Sequence, residues 1–139
     1  MSDQEPGLIH WKKEWHIGHA RFDSEHEHLM RLANEVIVAL HEGNPRERTG
    51  PALEDLMGGA TEHFDGEEAL MKETSYHRLQ DHTALHDRLV RELVRFARDC
   101  KGGTISAEDA AKFLVNWLLN HVLSADVYYV PHFEKLGIV

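Results

Sequence analysis

The stretch LEDLMGGATEHFDGEEALM, residues 53–71, decides the fold. Leu53, Leu56, Met57, Ala60, Phe64, Leu70 and Met71 recur at the three- and four-residue steps of an amphipathic helix, so one face is apolar. His63 and Glu67 stand four residues apart on that same row, continuing Leu56 and Ala60. Side chains at i and i+4 share a helix face. A helix that turns an imidazole and a carboxylate inward needs partners for them, because a buried carboxylate alone costs several kcal/mol. That cost is comparable with the whole stability margin of a domain.

The rest of the chain repeats the pattern three times. The spacing predicts a first helix from near Ser24 to His41, with Leu29, Ala33, Val36, Ile37 and Leu40 on one face. Asp23 or Ser24 is the expected cap and Gly43 the expected stop. A linker at residues 43–51 leads to the second helix, from about Pro51 to Lys72, with Asn44-Pro45 able to open a short turn of its own. Thr74-Ser75 leaves room only for a turn, so the third helix, about Tyr76 to Cys100, returns antiparallel, with Leu79, Leu89, Leu93, Phe96 and Ala97 on its stripe. Lys101-Gly102-Gly103 breaks it. Ser106 with Asp109 reads as a capping box for a fourth helix through Ala110, Leu114, Trp117, Leu118 and Val122 to about Tyr129, ahead of Pro131. The expected architecture is all-α, an up-down-up-down four-helix bundle behind an N-terminal arm. The arm covers about residues 1–22 and the bundle about 23–130 of a single domain, 1–139.

Each helix carries ligand-type residues among its apolar positions. His26 precedes Leu29 by three, His82 and His86 lie between Leu79 and Leu89, and His121 follows Leu118, with Asp126 four residues past Val122. His121 and Asp126 are five apart, roughly 140° round the helix, close enough to converge with a bend. With His63 and Glu67 this makes five imidazoles and two carboxylates without a thiolate, a set suited to iron rather than to a structural zinc. A bound cation turns each of these groups from a buried burden into a ligand. Where apolar patterning fails on all four helices at once, the failure marks a functional site. His10, His16, His19, His28, His41, His77 and His132 read as surface residues.

Composition excludes several other roles. The 139 residues carry a formal net charge of −9, which disfavours nucleic acid and anionic membrane surfaces as partners. The most apolar run, Phe113 to Tyr129, is interrupted by Asn116, Asn120, His121 and Asp126, so no membrane insertion is expected. The single Cys100 rules out an intrachain disulfide, and the N-terminal residues carry no apolar run of a secretory type. The expectation is a cytoplasmic monomer.

The run His63-Phe64-Asp65-Gly66-Glu67-Glu68-Ala69-Leu70-Met71, then Tyr76, His82 and His86, resembles the hemerythrin motif. So do Asp23-Ser24-Glu25-His26 upstream and Trp117-Leu118-Leu119-Asn120-His121 with Asp126 downstream. The resemblance spans about residues 11 to 130 and is nearest to the stand-alone bacteriohemerythrin type. It implies a non-haem di-iron centre: two iron ions, one held by His82, His86 and His121, the other by His26 and His63. Glu67 and Asp126 would bridge them together with an oxo or hydroxo group. It implies one open coordination position, on the two-histidine iron, where dioxygen binds reversibly as hydroperoxide. Phe64, Trp117, Leu118, Val122 and Tyr129 match the family's apolar oxygen pocket. Trp11 and Trp15 match its packing arm. One departure is His77, where many relatives carry proline.

Two classes of function compete. An oxygen-binding protein for storage, delivery or sensing, with an oxygen-consuming enzyme as a partner, fits the histidine-rich set and an apolar pocket without an obvious proton donor. The alternative is a di-iron redox enzyme, a ferroxidase or a peroxide or nitric oxide reductase. Ferritin-like sites need Glu-x-x-His on two helices, and here only Glu25 and His28 have that spacing. The expected answer is a binding protein, not an enzyme.

Overall fold

The computed structural model describes residues 8–42, 46–103, 105–124 and 129–138. The sequence expectations for Asp126 and for the Val122 side chain lie outside the described residues. A short 3-10 turn at Lys13–Trp15 is followed by α1 (Ala20–His41), α2 (Arg46–Glu73), α3 (Leu79–Lys101), α4 (Ala107–Ser124) and α5 (Val130–Lys135). The first four form the expected up-down-up-down bundle. Each packs on its sequence neighbour, α1 closes against α4, and the α3–α4 seam is the thinnest.

The burial pattern follows the predicted stripes. Leu29, Val36 and Ile37 of α1, Leu53, Leu56 and Ala60 of α2, Leu89 and Leu93 of α3, and Ala110, Leu114 and Leu118 of α4 are buried in one cluster. Burying such a side chain contributes about 1.5–3 kcal/mol, so the apolar stripes stabilise the bundle. The ligand-type residues lie early in α1 and α3 and late in α2 and α4. In an antiparallel bundle those four positions share one end, and the aliphatic core fills the other.

Helix boundaries depart from expectation where side chains act outside their usual roles. α1 begins four residues before Ser24, capped by His19, whose Nδ1 accepts the Phe22 N–H at 3.2 Å. Asp23 instead reaches back from inside the helix, accepting from the N–H groups of Ile17 (2.7 Å) and Gly18 (3.1 Å). Gly18 has φ +88°, the left-handed backbone that lets the arm turn into the helix. α2 starts at Arg46, so Pro51 lies inside it rather than at its start. A proline so near the N-terminus forfeits one intrahelical bond, a cost the long buried stripe of α2 outweighs. Between α2 and α3, Ser75 takes φ +55° and the Tyr76 N–H bonds the Met71 carbonyl at 2.8 Å, a helix-ending turn that delays α3 to Leu79. Ser106 caps α4 as expected, accepting from the Asp109 N–H at 3.1 Å. α4 is described as far as Ser124; residues 125–128, ahead of the expected end near Tyr129, lie outside the described residues, and Pro131 lies in the first turn of α5.

The arm is pinned to α1 by the Asn34 amide, which accepts from the Ile9 N–H at 2.7 Å and donates to its carbonyl at 2.8 Å. Trp11 and Trp15 meet edge to face at 5.4 Å between ring centres. None of the described helices is long and apolar enough to cross a membrane.

Candidate metal centre

Glu67 is the hub of the polar end. Its side chain is fully buried, and its Oε1 lies 3.3 Å from His63 Nε2 of α2, 3.2 Å from His86 Nε2 of α3 and 3.2 Å from His121 Nε2 of α4. Oε2 lies 3.9 Å from His26 Nε2 of α1 and accepts the Tyr129 hydroxyl at 2.5 Å. One carboxylate therefore touches all four helices. His26, His63, His82, His86 and His121 are all buried. Six of the seven sequence-predicted ligands converge here.

Their atoms form two groups that share Glu67. His26, His63, Glu67 and His121 make one; Glu67, His82 and His86 make the other; within each, the ligand-type atoms lie within 4.8 Å of one another. This division places His121 with His26 and His63, where the family resemblance pairs it with His82 and His86. The His121 ring in fact stands between both sets, 5.0 Å from His63 and 5.2 Å from His86.

The tautomers explain what this cluster is shaped for. His63 Nδ1 donates to Glu25 Oε1 at 2.5 Å, and His86 Nδ1 donates to Glu68 Oε2 at 2.8 Å. With Nδ1 carrying the proton, each neutral ring presents its lone pair from Nε2. Those lone pairs face the lone pairs of Glu67 Oε1, while His121 Nε2, 2.9 Å from His63 Nε2, can donate to it. Acceptors facing acceptors require a proton or a cation between them. Burial lowers the pKa of His63, with further lowering from His121 and His26, although Glu67 and Glu25 oppose it, so protonation is the less favoured remedy. Five imidazoles around a shared buried carboxylate fit two metal ions of the first transition row.

Two groups here went unread in the sequence. Glu25 and Glu68 are partly exposed carboxylates, each bonded to a buried imidazole of the neighbouring helix. Partial burial works to raise the Glu25 pKa, but the hydrogen bonds from His63 and Arg21 prevail and hold it below the ordinary carboxylate range. Each acid adjoins a candidate ligand in sequence, Glu25 before His26 and Glu68 after Glu67, which is the signal that was available.

Of the expected pocket residues, Phe64, Trp117, Leu118 and Tyr129 are buried. Phe64 stacks on His86 with ring centres 4.2 Å apart at 11°, and Trp117 donates its indole N–H to the Leu89 carbonyl at 2.9 Å. Leu118 is 1% exposed. Tyr129 is more than an apolar wall, because its hydroxyl donates to Glu67, so the expectation of no nearby proton donor is corrected. His19 is buried against Phe22 and Phe133 rather than on the surface. His132 is half-buried, its Nε2 3.0 Å from Thr74 Oγ1.

This chain is similar to known proteins over most of its length. The hemerythrin HHE cation binding domain matches residues 18–133. The bacteriohemerythrin of Methylococcus capsulatus is 28% identical over 110 residues, 78% of this chain and 83% of that protein. The bacteriohemerythrin of Stenotrophomonas maltophilia is 24% identical over 122 residues, 88% of this chain and 79% of its own. The myohemerythrin of Riftia pachyptila is 24% identical over 129 residues, 93% and 97% of the two chains. A solved wild-type hemerythrin, 26% identical, superimposes with a TM-score of 0.78 over 90% of this chain and 97% of that one. With the family's domain spanning arm junction to α5 and the same bundle in a solved relative, the chain belongs to the hemerythrin family.

Proposed function

We propose that this chain binds dioxygen reversibly at a non-haem di-iron centre held by His26, His63, Glu67, His82, His86 and His121. Asp126 is the seventh ligand, assigned from the family motif. The observation that carries the reading is Glu67, a fully buried carboxylate whose Oε1 lies 3.2–3.3 Å from imidazoles of three helices. Two ferrous ions held by these residues would each supply one electron to dioxygen. The chain's own residues do the rest. Glu25 and Glu68 hold His63 and His86 with Nε2 inward, and the Tyr129 hydroxyl fixes the rotamer of Glu67 while keeping an O–H within the site. Phe64, Trp117, Leu118 and the Tyr129 ring, with Val122 from the motif, exclude water, which limits side reactions and tunes the metals. Trp117 spends its only donor on Leu89, so it offers an apolar face. Arm and bundle act as one hemerythrin-like domain, storing dioxygen in the cytoplasm, sensing it or delivering it to an oxygen-consuming enzyme.

A di-iron redox enzyme is the second reading, favoured by the Tyr129 hydroxyl at 2.5 Å from Glu67. One experiment separates them. Iron is loaded anaerobically, oxygen admitted and then removed, with the visible charge-transfer bands followed throughout. Bands that rise and fall over repeated cycles support carriage. One-way conversion to a diferric spectrum with consumption of oxygen or peroxide overturns it in favour of the enzyme.

A further inference from the structure

The two orienting carboxylates are alike in exposure and unlike in company. The Glu25 side chain is 30% exposed and that of Glu68 27%. Glu25 accepts from His63 Nδ1 and also from Arg21 Nε at 2.9 Å. Arg21 lies over Phe22, 5.3 Å from its ring centre, and against the backbone of α2 at Gly66, where an added Cβ would sit 2.6 Å from its Nη2. The missing side chain at Gly66 is what lets the guanidinium approach. Glu68 accepts from His86 Nδ1 and from the neutral Thr83 hydroxyl at 3.3 Å; among the described residues no lysine or arginine pairs with it.

A carboxylate that accepts from the distal nitrogen of a ligating imidazole fixes the ring and raises the basicity of the nitrogen facing the metal. A cation paired with that carboxylate draws its charge back. We propose that Glu25 and Glu68 are positioning residues for the metal-binding imidazoles, and that Arg21 makes His63 the weaker electron donor and leaves His86 the stronger. The inference rests on the di-metal reading above and adds an asymmetry of the protein's own making: the His86 end favours the more oxidised metal.

The test uses the full chain and the variants Glu25→Gln, Glu68→Gln and Arg21→Gln, each checked for helix content. Glutamine keeps an oxygen that accepts from Nδ1 and removes the charge. The probes are Co²⁺, titrated by its ligand-field bands, and the midpoint potential of the iron-loaded protein. Glu68→Gln is expected to weaken one of two Co²⁺ sites by about 10–100-fold and to raise the potential. Glu25→Gln also raises the potential, by less. Arg21→Gln frees the Glu25 charge and lowers it, the opposite sign, which a purely structural role for these residues would not produce. Should Glu68→Gln fail to fold, Thr83→Val reads the same site, because loss of the hydroxyl leaves the carboxylate a stronger acceptor and lowers the potential. Wild-type protein that takes up fewer than two Co²⁺ overturns the di-metal reading itself. Two tight sites in the wild type, with Glu68→Gln unchanged or with Arg21→Gln moving in the same direction as Glu25→Gln, overturn this inference alone.

Discussion

Replacing Glu67 by glutamine separates the cost of the polar end from its use. In the metal-free protein the amide keeps the volume of the side chain and an oxygen for the Tyr129 hydroxyl. Its NH2 donates into the imidazole nitrogens that the carboxylate oxygen can only confront at 3.2–3.3 Å. The unfolding midpoint of metal-free Glu67→Gln is therefore expected to equal or exceed that of the wild type. With metal, the order reverses. Binding at a free concentration of 100 Kd stabilises by about 2.7 kcal/mol per site, so two sites give about 5 kcal/mol. An unfolding entropy near 2.1 cal/mol/K per residue over 139 residues converts this to a rise of about 15–20 °C. A neutral amide cannot bridge two cations, and at 100-fold weaker binding each site yields only about 0.4 kcal/mol, for a combined rise of about 3 °C. Calorimetric melts with and without Co²⁺ or Fe²⁺, under anaerobic conditions for iron, measure both quantities. A metal-linked rise in Glu67→Gln equal to that of the wild type would refute the shared-carboxylate reasoning.

Three further outcomes follow from the packing. Tyr129→Phe removes the donor to Glu67 Oε2 and is expected to cost about 1–3 kcal/mol in a denaturant titration of the metal-free protein; an unchanged midpoint would mean the bond contributes nothing net. His19 caps α1 as a neutral acceptor, and burial, reinforced by Arg21, lowers its pKa from 6.5 despite opposing acids. Its contribution is thus present above pH 6.5 and fades as the pH falls from there toward the depressed folded value, since the unfolded chain takes up the proton first. His19→Asn, also a capping residue, should flatten that segment of the stability curve between pH 7.5 and pH 5.5 in urea titrations, and parallel curves for the two proteins would exclude the role. Gly58 and Gly59 make a matched pair on α2. Gly58→Ala meets open space and should stabilise by about 0.5–1 kcal/mol, whereas at Gly59 a Cβ would sit 2.6 Å from Leu32 Cδ1, so Gly59→Ala should forfeit that gain and destabilise; equal effects at the two positions would contradict the α1–α2 packing.

The buried imidazoles and Glu67 were legible because a polar side chain on an apolar stripe stands out at helical spacing, as His63 and Glu67 do between Ala60 and Leu70. The bundle was legible for the same reason: each stripe is long, and the Thr74-Ser75 turn permits only an antiparallel return. What escaped depended on contacts between helices. Glu25 and Glu68 sit where a helix normally meets solvent, and only the partner helix reveals that each bonds an imidazole. His19 looks like one surface histidine among several until its ring stacks on Phe22 at 4.3 Å and its Nδ1 takes the Phe22 N–H. Pro51 was read as the start of a helix and Pro131 as the stop beyond one. Pro51 instead lies inside α2, where it forfeits one intrahelical bond, and Pro131 lies in the first turn of α5, where its missing N–H costs little. Tyr129 was read by its ring, and its hydroxyl proved to be the part that addresses Glu67.

The topology also explains how so polar an interior is tolerated. Because α1 and α3 begin where α2 and α4 end, His26, His63, Glu67, His82, His86 and His121 are confined to one end. The other end is left to side chains such as Val36, Leu53, Leu93 and Leu114, each no more than 1% exposed. At about 1.5–3 kcal/mol apiece, that aliphatic end supplies the cooperativity of the fold. The imidazole end can then keep His63 Nε2 and His86 Nε2 facing Glu67 Oε1, contacts suited to a bound cation. Zinc fingers, which lack such a core, couple metal uptake to folding as a whole. Here the apolar end should fold the chain first and present a preformed site, so metal uptake should leave the helix content nearly constant. A large rise in far-ultraviolet ellipticity on adding Co²⁺ to the metal-free protein would show that the two ends are not independent in this way.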